Sequence, residues 1–324
     1  MESLPPDDVL FGKSPAMIEV RQRAAKVCST NVPMFLCGEV GTGKEALARW
    51  IHKHSPNCNG QFVKVNCAAI PGTLLESELF GYEKGAFTGA HISKPGRVEA
   101  AHKGTLFLDG INDLDARLQS KLLQFLQDGH FSRIGGTEER QVEARLICAT
   151  NKDLKDEIKC GTFRSDLYYR ISVVHIRLPR LRDRREDIPE LVNYLLDHFQ
   201  NTFAKPAEPL DRRVVAGLQK EDWPGNIREL SNDIARHVLL GPDNGIPPSS
   251  YSGSKTIVRA NANPLGTLPL KEIAKEAVRD RERSMILETL RANQWNRRRT
   301  AEALRISYRT LIYKIRAAGL IAKR

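Results

Sequence analysis

Three observations predict an α/β fold: a parallel sheet flanked by helices, followed by a small helical lid and a separate all-α C-terminal end. Short β-rich apolar runs alternate with helix-length segments up to about residue 177. A Gly-rich turn joins the first of these runs to a helix. Beyond about residue 178 the apolar spacing turns helical, and the end of the chain is strongly basic.

The strand-like runs are PMFLCG, FVKVNC, GTLFLD, ARLICAT and SVVHIRL, in a zone from about Val9 to Ile176. Strands separated by helix-length segments need crossovers, and crossovers give parallel pairing. From about Leu178 to Leu240, DIPELVNYLLDHFQ and RRVVAGLQ read as amphipathic helices. The stretch GPDNGIPPSSYSGSK is rich in Gly, Pro and Ser and reads as a linker. These shifts divide the chain at 1–177, 178–241, 242–267 and 268–324. No internal repeat is visible.

With 324 residues, of which 41% are apolar, the chain can bury real cores. No apolar run approaches bilayer length, and the start MESLPPDDVL does not read as a signal peptide. The six cysteines form no C-x-x-C pair. Several, as in FLCGE and RLICAT, read as small buried hydrophobes. The expectation is a reduced, cytoplasmic protein with no membrane partner. Net charge is +11, and residues 251–324 carry 17 Lys/Arg against 6 Asp/Glu. The preceding residues hold 33 of each sign, so a neutral body carries one basic end. That is the expected footprint of a DNA-binding tail, or of a tail merely solvated by its charge.

In FLCGEVGTGKE, Gly38, Gly41, Gly43 and Lys44 stand in the G-x-x-x-x-G-K spacing, between an apolar strand and the helical ALARWIHKH. Backbone N–H groups of such a loop cradle phosphates, and the lysine reaches the outer ones. The expected ligands are ATP and Mg²⁺, held by Gly38, Glu39, Val40, Gly41, Thr42, Gly43, Lys44 and Glu45. Glu45 stands where the general pattern has Ser or Thr, which leaves Thr42 or water to serve the metal. GTLFLDG ends a second strand in Asp109, suited to Mg²⁺-bound water beside the phosphates. Hydrolysing enzymes of this type carry an acidic residue next; here the position is Gly110.

From here the residues resemble one family, the AAA+ activators of sigma-54 RNA polymerase, over about Leu10 to Leu240. GEVGTGKE is similar to that family's phosphate loop, in which Glu after the lysine is usual. GAFTGA, formed by Gly85, Ala86, Phe87, Thr88, Gly89 and Ala90, resembles its sigma-54-contacting loop. FRSDLYYRI resembles the arginine-finger segment and WPGNIREL the sensor II helix. RIGGTEERQVEAR resembles a second sigma-facing insertion, or reads as a plain solvated hairpin.

The resemblance implies roles. Lys44 holds β- and γ-phosphates and Asp109 holds Mg²⁺. Thr150 and Asn151 act as sensor I, Arg228 as sensor II, and Arg164 and Arg170 as fingers reaching a neighbouring subunit's nucleotide. Alone, those two arginines, six apart, read as ordinary surface residues. Asn66 corresponds to the residue that restrains the catalytic glutamate, a partner it lacks here. The partners implied are the sigma-54 RNA polymerase holoenzyme, upstream DNA, and further subunits in a homo- or hetero-oligomeric ring, expected to be a hexamer. The match begins near Leu10, so no N-terminal receiver domain is expected.

At the C-terminus NRRRTAEALRISYRTLIYKIRAAGL resembles a Fis-type helix-turn-helix. Ala301, Leu304 and Ile306 would pack inward, and Ser307 would cap a recognition helix that buries Leu311 and Ile315. Tyr308, Arg309, Thr310, Tyr313 and Lys314 would face the major groove, with Ser307 at its edge. Arg297, Arg298 and Arg299 would grip phosphates.

The expected function is a sigma-54-dependent transcription activator that binds ATP and remodels the closed polymerase–promoter complex. Loss of a general base costs about 10²- to 10⁴-fold in rate, so Gly110 predicts weak hydrolysis. Three explanations stand beside one another. Asp113 or another nearby carboxylate stands in, though Asp113, three residues downstream, would have to bend back into the site. Or the chain is an ATP-binding, hydrolysis-deficient regulator in a mixed ring or as an antagonist. Or the glycine is an introduced or decayed change.

Overall fold

The computed structural model describes residues 4–206, 209–241, 299–300 and 311. In chain order it begins with helices α1 (Asp7–Phe11) and α2 (Pro15–Cys28), strand β1 (Met34–Cys37), α3 (Lys44–Lys53) and β2 (Phe62–Asn66). Next come α4 (Gly72–Phe80), β3 (Gly81–Tyr82), β4 (Lys94–Pro95), α5 (Arg97–Ala100) and β5 (Thr105–Asp109). Then follow α6 (Ala116–Asp128), β6 (His130–Ser132), β7 (Glu139–Gln141), β8 (Arg145–Thr150), α7 (Leu154–Lys159), α8 (Ser165–Ile171) and β9 (Val174–Arg177). Helices α9 (Ile188–Phe203), α10 (Arg212–Leu218) and α11 (Asn226–Leu240) complete this part.

Five strands form a parallel sheet in the order β2-β5-β8-β1-β9. These are the five runs picked out by their β-rich apolar composition. Every residue of β8 is buried, as expected of a central strand covered on both faces. Side chains alternate between the two faces. Leu106, Leu108, Leu146 and Cys148 join one core with α4, α6 and α8. Phe107, Ile147 and Ala149 join the other with α2 and α3. Two small antiparallel pairs, β3–β4 and β6–β7, stand apart from this sheet.

Asp115 caps α6 by accepting from the Leu118 N–H at 2.8 Å, and Gly129 ends that helix in the left-handed region. Helices α9, α10 and α11 close a third core around Leu191, Val192, Leu218, Trp223 and Ile234. This is the helical lid. No helix among the described residues is long and apolar enough to cross a membrane. All six cysteines are free thiols.

The second unit spans Lys255–Arg324. Arg299 and Thr300 are helical, the first exposed and the second buried, and Leu311 is helical and buried. The remaining residues expected to bind DNA, namely Arg297, Arg298, Ser307, Tyr308, Arg309, Thr310, Tyr313 and Lys314, lie outside the described residues.

Candidate nucleotide site

The Gly-rich loop leaves β1 at Gly38 and enters α3 at Lys44, whose N-cap Gly43 has φ 101°. The Gly38 N–H donates to the Thr150 carbonyl at 3.3 Å, which fixes the loop's start against the end of β8. Lys44 Nζ donates to the carbonyls of Gly38 and Glu39 at 2.7 and 2.9 Å. Burial lowers Lys44 below the ordinary lysine value, the Asp109 carboxylate opposes the shift, and the Arg228 charge adds to it. Lys44, Asp109 and Arg228 therefore share one electrostatic neighbourhood.

Thr42 is buried; its hydroxyl donates to the Glu39 carbonyl at 2.8 Å, and its carbonyl accepts from Arg184 Nη2 at 3.0 Å. Burial pulls the Arg184 guanidinium down to about 10, against the opposing charge of Asp187. Glu45 is engaged by two cations. Its carboxylate accepts from Arg49 at 2.9 Å and from Lys64 at 2.5 Å. Val40 is exposed at the loop's tip.

The lid lies directly on this loop. The Ile227 N–H at the start of α11 donates to the Gly41 carbonyl at 3.0 Å. Asn226 is fully buried and holds φ 54°, a left-handed value that asparagine tolerates better than most residues. Its amide donates to Val40 O at 3.0 Å and Glu39 Oε2 at 3.2 Å, while its oxygen accepts from the Leu181 N–H at 2.8 Å. Glu39 also pairs with Arg182 at 3.2 Å and Arg180 at 3.5 Å. A Cβ on Gly41 would sit 2.2 Å from the Gly225 carbonyl, so only glycine permits this approach. None of Asn226, Arg180, Arg182 and Arg184 was singled out from sequence; WPGNIREL was the one signal that pointed to this contact.

Asp109 ends β5, and its Cα partners are Asn66 at the end of β2 and Ala149 in β8. Thr150 is buried, and its hydroxyl donates to Asn112 Oδ1 at 2.6 Å. Asn151 follows, exposed, and lines an open pocket of about 860 Å³ together with Gly38, Glu39, His175 and Arg180. Gly110 has φ 77° and ψ 43° and opens the 3₁₀ turn Ile111–Asp113.

The sheet thus brings Lys44, Asp109, Asn66, Thr150 and Asn151 to one edge, and the lid adds Arg228. Arg164, the residue before α8, and Arg170, within it, stand elsewhere, both exposed. Arg164 makes a forked pair with Asp166 at 2.7 and 3.0 Å, and Arg170 donates to the Leu126 carbonyl at 2.8 Å.

The GAFTGA loop projects between β3 and β4, closed by a Gly85 N–H to Ala90 O bond of 2.8 Å. Phe87 is 45% exposed, and its ring meets Tyr82 edge-on at 4.9 Å. Thr88 is exposed. No other atom comes within 4 Å of where side chains at Gly85 and Gly89 would begin. The base of the loop is tied to the β6–β7 hairpin by Glu83 N–H to Ile134 O and Ile134 N–H to Gly81 O, both 3.0 Å. Arg133 joins Glu99 at 2.7 Å and Glu83 at 3.1 Å beneath it.

Three family models match the chain. The Sigma-54 interaction domain covers residues 10–177, an AAA+ ATPase lid domain covers 182–252, and a Bacterial regulatory protein, Fis family, helix-turn-helix covers 277–317. Regulatory protein AtoC of Escherichia coli is 45% identical over 96% of this chain and 68% of its own length. Response regulator protein PilR of Pseudomonas aeruginosa is 39% identical over 98% of this chain and 72% of its own length. NtrX from Brucella abortus, solved in complex with ADP and in complex with ATP, superposes with a TM-score of 0.69 at 34% identity. The match covers 98% of this chain and 70% of NtrX.

Proposed function

The chain belongs to the sigma-54 interaction domain family of transcription activators that carry a DNA-binding helix-turn-helix, and on that premise we propose that it binds ATP, forms a ring and remodels the sigma-54 polymerase closed complex. The observation that carries the reading is the clasp on the phosphate loop: β1 and β8 hold one side of it, and the first turn of α11 holds the other. Such a clasp orders the backbone N–H groups that receive phosphates, and it lets nucleotide occupancy move the lid. NtrX, a solved relative of the same architecture, carries ADP or ATP.

In this reading the loop from Gly38 to Glu45 receives the phosphates, and Thr150, Asn151 and Arg228 register the γ-phosphate. Arg164 and Arg170 serve the site of the next subunit in the ring, for which their exposure at the start and end of α8 leaves them available. The residues also suit Mg²⁺, which takes one or two carboxylates and otherwise keeps water and substrate phosphates. Asp109 supplies a single carboxylate at the strand edge, and the Lys64–Arg49 pairing of Glu45 removes the competing one. Bound there, the ion would neutralise phosphate charge. Gly85 to Ala90 press on sigma-54, and Arg297 to Arg299 with Ser307, Tyr308, Arg309, Thr310, Tyr313 and Lys314 hold DNA.

Equilibrium ATP binding by the full chain, beside Lys44→Ala, tests the nucleotide claim. Loss of charge-assisted hydrogen bonds to phosphate predicts about 10- to 100-fold weaker binding. Equal affinity contradicts it. A second reading has one observation in its favour: Gly110 removes the expected acidic residue, which describes an ATP-binding subunit that does not hydrolyse. ATP turnover by the full chain separates the two.

A further inference from the structure

Residue 110 offers no side chain, yet the space beside it is not free of carboxylate. A Cβ at Gly110 would lie 3.0 Å from Asp113 Oδ2 and 3.6 Å from Ala68. Asp113 therefore holds a carboxylate oxygen in contact with the point where a side chain at 110 would begin. The 3₁₀ turn brings it there: the Asp113 N–H donates to the Gly110 carbonyl at 3.0 Å and folds the chain back on itself.

A line of hydrogen bonds then ties Asp113 to the phosphate loop. Asn112 Nδ2 donates to Asp113 Oδ1 at 2.8 Å, and Asn112 Oδ1 accepts from the Thr150 hydroxyl at 2.6 Å. The Thr150 carbonyl accepts from the Gly38 N–H at 3.3 Å. Oδ2 is the oxygen that lies beside the start of a side chain at 110. Asp113 is exposed, so water reaches it. The Cys67 thiol is pushed up to about 12, by burial first and then by the charges of Asp109 and Asp113, so both carboxylates bear on one spot.

We propose that Asp113 is the general base of ATP hydrolysis in this chain, in place of a side chain at Gly110, and that Asn112 positions it. The inference rests on the reading of the chain as an ATP-binding member of its family. Asp113 accepts one proton from water. The water oxygen forms a bond to the γ-phosphorus while the bond to the β,γ-bridging oxygen breaks. ADP keeps that electron pair, inorganic phosphate leaves, and the proton passes from Asp113 to solvent.

The test measures Mg²⁺-dependent ATP turnover and, separately, ATP affinity, in the full native chain, Asp113→Asn, Asp113→Glu, Asn112→Ala, and Asp113→Asn combined with Gly110→Glu. The native chain is expected to turn over ATP, and Asp113→Asn to lose about 10²- to 10⁴-fold with affinity unchanged. Asp113→Glu should keep part of the rate, Asn112→Ala should fall between, and the combined variant should recover turnover over Asp113→Asn. Asp113→Asn turning over at the native rate overturns the proposal. So does a native chain that binds ATP but is silent, or an Asp113→Asn chain that loses affinity in step with rate. A native chain that fails to bind ATP overturns the functional reading itself.

Discussion

The Asn226 side-chain amide donates to the Val40 carbonyl at 3.0 Å, joining the first turn of the lid's last helix to the tip of the phosphate loop. The same side chain accepts from the Leu181 N–H at the lid's entry, so one buried residue fixes loop, lid entry and lid helix together. Asn226→Ala strands a buried N–H and a carbonyl and places alanine at φ 54°. We predict a loss of about 2–4 kcal/mol in unfolding free energy and weaker ATP binding. Urea unfolding checks the first and equilibrium binding the second; a loss below about 0.5 kcal/mol, the size of an ordinary surface substitution, contradicts the account.

Gly41→Ala tests the same contact from the loop side. Its Cβ would meet the Gly225 carbonyl at 2.2 Å, so the lid must withdraw. Overpacking of this kind costs about 1–3 kcal/mol, and ATP affinity is expected to fall about tenfold or more. Unaltered affinity would mean that lid contact does not order the loop.

Lys64→Met tests the pairing of Glu45. Burial pushes the Glu45 carboxyl up, but hydrogen bonds and charge from Lys64 and then Arg49 outweigh it and hold the group below the usual range. A carboxylate lowered in the folded state adds stability that is fully present above its unfolded pKa, about 4.3. That stability is lost as pH falls through the lower folded value. The native chain should therefore exceed the variant by about 0.5–1 kcal/mol at neutral pH, with the difference shrinking below about pH 4. Unfolding at several pH values measures this, and a difference that does not vary with pH contradicts it.

Arg133→Ala and Phe87→Ala should part company. Arg133, with a side chain only 13% exposed, ties Glu83 and Glu99 beneath the GAFTGA loop, and its removal is expected to cost about 1.5–3 kcal/mol. Phe87 is half-exposed and touches the Tyr82 ring, so its loss should cost less than about 1 kcal/mol. Both should weaken capture of sigma-54. Full capture by Phe87→Ala would remove that loop from the interface.

The sheet was legible because its strands are apolar runs with turn or helix signals on either side; ARLICAT is buried at all six of its strand positions, Arg145–Thr150. The phosphate loop was legible because glycine spacing and a following lysine are local in sequence. Contacts made across the chain were not. Asn226 meets Val40 from 186 residues away, and nothing in WPGNIREL specifies which loop atom it will touch. The apolar context of Cys37 predicts a buried hydrophobe, but the residue is half-buried, with Sγ 2.9 Å from His175 Nε2, because β9 pairs beside β1. Asp113 was visible in the sequence three residues past Gly110. Its return to the site depends on one 3₁₀ turn and on Asn112, whose partner Thr150 lies 38 residues on.

The most direct measurement is open-complex formation by the full chain with sigma-54 RNA polymerase on a sigma-54 promoter, comparing ATP with a non-hydrolysable analogue. An ATP-hydrolysing activator yields open complexes with ATP and none with the analogue, and Asp113→Asn abolishes them. A native chain that gives no open complexes with ATP, while Gly110→Glu gives them, would contradict the account and mark this chain as a nucleotide-binding subunit that does not drive remodelling.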